Sequence, residues 1–169
     1  PIDTATQGSK TFTVVATDNA GNTNSIVHAY TVVPAAPAIS TTSGQCQTND
    51  RVGTLNLLLA DGTASLTGVS SNTAVVPNSG IAISGTGTNR TLRITGSASG
   101  VAIVTVSAPG NPAVAPLTAT VRIGTTGNDA LTGTSGTDML FGRSGNDALV
   151  GLSGSDLICG GGDNDNLDG

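Results

Sequence analysis

Residues 124–169, GTTGNDALT-GTSGTDMLF-GRSGNDALV-GLSGSDLIC-GGGDNDNLD-G, are a nine-residue pattern that occurs five times in succession. Position one of every repeat is glycine, position six is aspartate and position eight is a large aliphatic residue. The aspartates are Asp129, Asp138, Asp147, Asp156 and Asp165, and the aliphatic residues are Leu131, Leu140, Leu149, Ile158 and Leu167. Three fixed positions through five consecutive copies do not arise by chance, so this repeat region dominates the prediction of the fold.

The pattern resembles the nonapeptide of the repeats-in-toxin (RTX) family, G-G-x-G-x-D-x-U-x, in which U is a large apolar residue. The resemblance implies a loop followed by a short strand, with two nonapeptides in each turn of a right-handed parallel β-roll. Alternate residues of a strand face opposite sides, so only the middle side chain of each short strand points inward. Leu131, Leu149 and Leu167 are therefore predicted to stack in one sheet, and Leu140 and Ile158 in the other.

The resemblance also implies calcium ions between loops that lie two repeats apart. Calcium takes about six to eight oxygen ligands, which carboxylates and loop carbonyls supply. Carried over by position, the carboxylate pairs are Asp129 with Asp147, Asp138 with Asp156, and Asp147 with Asp165, which allows up to three complete sites. The predicted carbonyl ligands belong to Gly127, Gly136, Gly145 and Gly154.

Two departures from the family pattern affect these loops. Position two is Thr125, Thr134, Arg143 and Leu152 in the first four repeats, and becomes glycine only in the fifth, so the first four loops are predicted to be stiffer than the ideal. Position four of the last repeat is Asp163 instead of glycine, which weakens the prediction for the last site.

Residues 1–33 are predicted to contain the closing hairpin of a truncated immunoglobulin-like domain. The stretch KTFTVVATDNAGNTNS, residues 10–25, resembles bacterial immunoglobulin-like repeats, and Asp18 lies in its turn. A plain turn is favoured for Asp18 over a calcium site. Residues 34–37 are predicted to be a short linker.

Residues 38–123 are predicted to form an antiparallel immunoglobulin-like β-sandwich, because strand candidates follow one another at a spacing of roughly ten residues. The stretch from Ser70 to Ala108 is similar to immunoglobulin- or cadherin-like modules of bacterial surface proteins. The candidates are Thr54–Leu59, Ala64–Val69, Gly80–Ser84, Thr91–Thr95, Ala102–Ser107 and Leu117–Arg122. The overall expectation is an all-β chain with a sandwich followed by a β-roll.

The charge is concentrated in the repeat region. From residue 124 onward there are seven Asp and one Arg, a net charge of −6, whereas residues 1–123 carry four Asp and five Lys or Arg, a net charge of +1. Clustered carboxylates repel each other unless cations neutralise them. The acidic balance argues against nucleic acid as a partner, and no apolar run is long enough to span a membrane.

Catalytic chemistry is not expected in this chain. His28 is the only histidine, glutamate is absent, and neither a zinc-protease motif nor a serine nucleophile elbow occurs. Carbohydrate binding is disfavoured because residues 38–123 contain no aromatic residue. Whether Cys46 and Cys159 pair is left open by the sequence.

The sequence therefore predicts a calcium-binding structural or adhesive segment of a large secreted or cell-surface protein of Gram-negative bacterial type. The resemblance implies export by a type I system, with calcium-driven folding outside the cell. Calcium is predicted to convert residues 124–169, with their flanks, from coil to β structure. Neighbouring repeat domains or identical chains are the expected partners, and the alternative is the accessory region of a secreted RTX enzyme or toxin.

Overall fold

The computed structural model describes residues 8–32, 38–47, 51–59 and 62–169, so the predicted linker at 34–37 lies outside the described residues. The regular elements of the described residues are all β-strands, apart from one 3-10 turn at Asn78–Gly80. The chain divides into two compact units, Pro1–Ala36 and Pro37–Gly169.

The first unit contains an antiparallel hairpin where the sequence predicts one. Strand β1 (Gly8–Thr17) pairs with β2 (Thr23–Val32). The carboxylate of Asp18 accepts the backbone N–H groups of Ala20 and Asn22, each at 2.9 Å, and the side-chain amide of Asn22. These hydrogen bonds, led by the one from the Asn22 side chain, lower the pKa of Asp18. Asp18 therefore closes the turn.

The described residues of the second unit form three sheets. Its strands are β3 (Ile39–Cys46), β4 (Val52–Leu59), β5 (Thr67–Ser70), β6 (Ile81–Ser84), β7 (Asn89–Thr95), β8 (Gly100–Ser107), β9 (Leu117–Ile123), β10 (Ala130–Thr132), β11 (Thr137–Arg143), β12 (Ala148–Val150), β13 (Leu157–Gly161) and β14 (Asn166–Asp168). The first sheet has the order β3-β4-β7-β6 and is antiparallel throughout. All six predicted strand candidates overlap observed strands, β4 to β9, although β5 begins three residues after the predicted start at Ala64.

The second sheet, with the order β13-β11-β9-β8-β5, is mixed. Strands β5, β8 and β9 are antiparallel, but β11 pairs with β9 in parallel, with Ala119 opposite Thr137 and Ile123 opposite Phe141. The sequence predicts an antiparallel sheet that ends at residue 123. The sheet instead continues into the repeats, because β11 takes the free edge of β9.

A hydrophobic core lies between the first and second sheets, and we call it the two-sheet core. It includes Leu55, Leu57, Leu92 and Ile94 from the first sheet and Ala102, Val104, Val106 and Val121 from the second, together with Met139, Phe141, Leu157 and Cys159 from the second and fourth repeats. The expectation that only position eight of a repeat points inward is therefore wrong for these two repeats. Strand β11 is buried on both faces because it forms part of two layers, whereas β13 is buried on the face of Leu157 and Cys159 and half-buried at Ile158.

The third sheet contains the short strands of the odd-numbered repeats, in the parallel order β10-β12-β14. Leu131 is paired with Leu149, and Leu149 with Leu167. In the second sheet, Leu140 is paired with Ile158. The predicted division of the five aliphatic residues between two stacks is confirmed, but Leu167, predicted to point inward, is 49 % exposed at the end of its stack.

A disulfide bond joins Cys46 at the end of β3 to Cys159 in β13. It links the edge of the first sheet to the fourth repeat, 113 residues later in the chain. The pairing that the sequence left open is thereby assigned.

Candidate metal site

The loops of the repeat region bring the side chain at position six back over the glycine at position one. A Cβ atom placed on Gly124 would lie 2.8 Å from Oδ2 of Asp129 and 2.6 Å from the carbonyl oxygen of Gly142. Such distances are shorter than any real Cβ contact, so a side chain at position one would displace the carboxylate. Glycine at position one is therefore required by the close approach of aspartate to the backbone.

The predicted aspartate pairs are brought together by the structure. The backbone N–H of Asp129 donates to Oδ1 of Asp147 at 2.8 Å, and that of Asp147 donates to Oδ1 of Asp165 at 3.0 Å. On the other side of the repeat region, the N–H of Asp138 donates to Oδ1 of Asp156 at 3.0 Å. Each contact joins repeats two apart, as the predicted calcium pairs require.

Two of these carboxylates are buried with an oxygen that lacks a partner among the described residues. Asp138 is 0 % exposed and Asp147 is 2 % exposed. Oδ1 of Asp138 and Oδ2 of Asp147 accept no hydrogen bond. A buried carboxylate is costly unless it is hydrogen-bonded, paired or coordinated to a metal. The donor set therefore fits a cation with a preference for oxygen.

The surroundings of Asp156 in the fourth repeat raise the pKa of its carboxyl group, chiefly through burial. Burial raises the pKa of Asp156, the hydrogen bond from the Asp138 N–H opposes the rise, and the negative charge of Asp138 adds to it. A nearby cation acts in the opposite direction because it favours the ionised carboxylate.

Backbone carbonyls must complete any site on these loops. Within the residues that the structure describes, no group of three or more His, Cys, Asp or Glu side chains is arranged to hold a metal ion. The predicted glycines are placed in register: Gly145 lies against the carbonyl of Gly127, and Gly154 lies against that of Gly136. Paired carboxylates with such carbonyls form a set of hard oxygen donors, the kind that calcium prefers.

The first two loops are closed by threonine, an arrangement that the repeat pattern alone does not predict. The backbone N–H and the hydroxyl of Thr125 donate to Oδ2 of Asp129 at 2.7 and 2.9 Å. Thr134 makes the same two bonds to Asp138, at 2.8 and 2.9 Å. Threonine at position two therefore holds Oδ2 of the aspartate in its own repeat and makes no bond to Oδ1 of that aspartate.

The last three loops have a different backbone. Position two has a positive φ at Arg143 (87°), Leu152 (73°) and Gly161 (112°), and position four has a positive φ at Gly145, Gly154 and Asp163. The prediction grouped the first four loops together because none has glycine at position two. The conformation instead separates repeats one and two from repeats three to five.

A row of asparagines runs along the odd-numbered repeats and was also missed. The side-chain oxygen of Asn128 accepts the N–H of Asn146 at 2.9 Å, and that of Asn146 accepts the N–H of Asn164 at 2.9 Å. Asp163 joins this side by accepting the N–H of Gly145 at 3.1 Å. The period of the asparagines is eighteen residues, so a search at twice the repeat length would have found them.

A family model that describes four copies of the RTX calcium-binding nonapeptide repeat matches residues 123–158 and residues 141–169. Residues 123–169 are thus similar to RTX repeats. The RTX repeats are calcium-binding, and their family is typical of secreted bacterial proteins. The predicted family and the predicted calcium ion are supported for this part of the chain.

Apart from the RTX repeats, the similarity of this chain to known proteins indicates little about its function. No curated protein sequence matches the chain. The crystal structure of domains 4 and 5 of the S-layer protein SbsC is similar over 66 % of this chain, with a TM-score of 0.39 and 16 % identity. The chain spans 64 % of that structure's chain, less than two thirds of it. Among the described residues, none forms a helix with the length and hydrophobicity of a membrane span.

Proposed function

We propose that this chain is a calcium-binding structural segment of a larger secreted or cell-surface bacterial protein, with an adhesive or spacing role and no catalytic activity. The observation that carries the proposal is the pair of buried, unpartnered carboxylate oxygens of Asp138 and Asp147 in loops with an RTX repeat pattern. The finer features proposed with it are a right-handed β-roll for the repeats and an immunoglobulin-like fold for residues 38–123.

The residues proposed to hold calcium lie in three sets, two of which share Asp147. Asp129 with Asp147 and Asp147 with Asp165 serve the odd-numbered repeats, and Asp138 with Asp156 serves the even-numbered ones. Carbonyls of Gly127, Gly136, Gly145 and Gly154 supply further oxygens. Bound calcium supplies the positive charge that the paired carboxylates need in order to lie close together.

The charge of the repeat region supports folding that depends on calcium. Seven Asp and one Arg give residues 124–169 a net charge of −6. Without cations these carboxylates repel each other, and the loops have few buried apolar side chains to offset that repulsion. Binding free energy then becomes folding free energy, as in other small metal-dependent domains.

We propose that the repeats bind calcium with the affinity typical of extracellular calcium modules, which fits a role outside the cell. Extracellular calcium modules have dissociation constants of about 0.1–1 mM. Loops with this affinity are empty in the cytosol and filled outside the cell. The repeat region would therefore stay unfolded during export, by a type I system, and fold on arrival.

Calcium titration of the whole chain tests the proposal. We expect circular dichroism to show a gain of β structure on adding calcium and its loss with chelator, and calorimetry to give up to three ions per chain. Asp147→Asn affects two of the three pairs, so about one ion should remain. The matched control is Asp168→Asn, which changes an exposed carboxylate at position nine and should leave the number unchanged.

Two measurements, circular dichroism and calorimetry, can contradict the proposal. A chain that keeps the same circular dichroism spectrum in chelator and in calcium does not depend on the ion for its fold. If calorimetry also shows no calcium binding, the assignment of the aspartate pairs is wrong.

A further inference from the structure

The second and fourth repeats supply part of the two-sheet core. Met139, Phe141 and Leu157 are buried, and Phe141 is only 1 % exposed. All three lie against β4 of the first sheet: a Cβ atom on Gly53 would meet Leu157 Cδ2, Phe141 Cζ and Met139 Cε at 2.6, 2.9 and 3.0 Å. Residues outside the calcium loops therefore hold the repeats against the first sheet.

The Cys46–Cys159 disulfide crosses the same boundary. Cys159 is at position nine of the fourth repeat, three residues after Asp156, and it is 9 % exposed. Cys46 ends β3, the strand at the edge of the first sheet. The bond can form in its observed place only when β13 has joined the second sheet and lies next to β3.

We infer that calcium binding by the repeats and closure of the Cys46–Cys159 disulfide promote each other, and that Cys46 and Cys159 are positioning residues that set the calcium affinity. The inference rests on the proposed function. Neither cysteine is a predicted ligand, so their effect is exerted through the strands and the two-sheet core that they join.

The physical basis is the entropy of the unfolded chain. A disulfide between residues that are 113 apart in sequence restricts the unfolded chain and so lowers the cost of folding. Less of the calcium-binding free energy is then consumed in ordering the repeats, and less calcium is needed. Because linkage is reciprocal, calcium must favour the disulfide by the same factor.

The redox step needs an oxidant, for which we name glutathione disulfide. The thiols of Cys46 and Cys159 are oxidised, an intramolecular S–S bond forms, and the S–S bond of one glutathione disulfide breaks. Two electrons and two protons pass to the two glutathione molecules that are released as thiols.

The first measurement is the calcium midpoint of folding for the whole chain in its oxidised and reduced forms. We expect the midpoint of the reduced chain to be higher by about fivefold or more, the lower end of typical coupling between sites. The double variant Cys46→Ser/Cys159→Ser should behave like the reduced chain whether or not reductant is present. Equal midpoints for the oxidised and reduced chains would overturn the inference.

The second measurement tests the reverse effect, that of calcium on the disulfide. If the disulfide were merely structural, calcium would not change the equilibrium constant for its formation. The oxidised fraction of the chain is measured in glutathione buffers with calcium and with chelator. We expect calcium to increase the equilibrium constant for disulfide formation, and Asp147→Asn to reduce that increase. A constant that is the same with and without calcium overturns the inference.

The third measurement tests the packing contact and includes a matched control. Gly53→Ala places a methyl group against Met139, Phe141 and Leu157, so we expect it to raise the calcium midpoint. Gly110→Ala makes the same change where a Cβ atom meets nothing within 4 Å, and should leave the midpoint almost unchanged. Equal midpoints for the two variants would contradict the coupling through the contact of Gly53 with Met139, Phe141 and Leu157 on which the inference rests.

The failure of this inference differs from the failure of the proposed function. A chain whose oxidised form shows no response to calcium overturns both. A chain that binds calcium with the same midpoint in both redox states overturns the coupling alone.

Discussion

At the scale of single residues, position two of the repeats has two solutions. Thr125 and Thr134 close their loops with a backbone and a hydroxyl hydrogen bond to the aspartate of the same repeat. Arg143 and Leu152 instead have a positive φ, which costs a residue with a side chain about 1–2 kcal/mol relative to glycine. The same position therefore stabilises one loop and strains another.

This difference predicts opposite effects for the same replacement. Leu152→Gly removes strain at a side chain that is 55 % exposed, so we expect a gain in stability of about 1 kcal/mol. Thr134→Gly removes a hydroxyl bond to a buried carboxylate, so we expect a loss of about 1–2 kcal/mol. Urea denaturation in saturating calcium measures both, and changes of the same sign would contradict the explanation.

At the scale of elements, the odd-numbered and even-numbered repeats are held together differently. The loops of the odd-numbered repeats are joined by both aspartate and asparagine side chains, whereas those of the even-numbered repeats have Thr137 and Ser155 at position five. The strands of the even-numbered repeats are held by the second sheet and the two-sheet core. The asparagines thus support the side of the repeat region that has no such core behind it.

We expect Asn146→Ala to destabilise the repeat region by about 0.5–1.5 kcal/mol, because the N–H of Asn164 loses its acceptor. Ser155→Ala, at the same position of an even-numbered repeat, is the control and should be close to neutral. The calcium midpoint of folding measures the difference. Equal midpoints for the two variants would show that the asparagine row contributes nothing.

Strands were predicted correctly where apolar residues recur at a regular spacing in the sequence. The two aliphatic stacks follow from position eight, and the strands β4 and β7 follow from alternation. Strand β3 was missed because ISTTSGQC lacks alternating apolar residues: only Ile39 is buried, and the strand depends on its pairing with β4. Strand β11 is longer than the short strand expected of a repeat. Its length could not be predicted, because the additional residues are ordered by pairing with β9.

At the scale of the whole molecule, the change of sequence pattern at residue 124 is not a boundary in the structure. Strand β9 pairs with β11, and the two-sheet core contains side chains from both sides of residue 124. The aspartate pairs could be predicted from the repeat alone because they are local to it. The role of Met139, Phe141 and Leu157 could not, because positions seven and nine are variable in the repeat pattern.

This arrangement predicts that the repeats depend on the preceding residues. A fragment of residues 124–169 lacks β9 and the first sheet, so three buried apolar side chains would be exposed to water. We expect it to gain much less β structure in calcium, measured by circular dichroism, than the same repeats within residues 38–169. A fragment that folds equally well would show that the shared sheet is dispensable.

The bond between Cys46 and Cys159 also determines how the second unit responds to a pulling force. Tension applied at its two ends passes directly from one sulfur to the other. The residues between the two cysteines lie in a closed covalent loop, so the covalent path of the load bypasses them. Only the short segments outside that loop can be stretched. Tension should therefore separate Asp165 from Asp147 but leave the pairs Asp129–Asp147 and Asp138–Asp156, which lie inside the loop, until the bond is reduced.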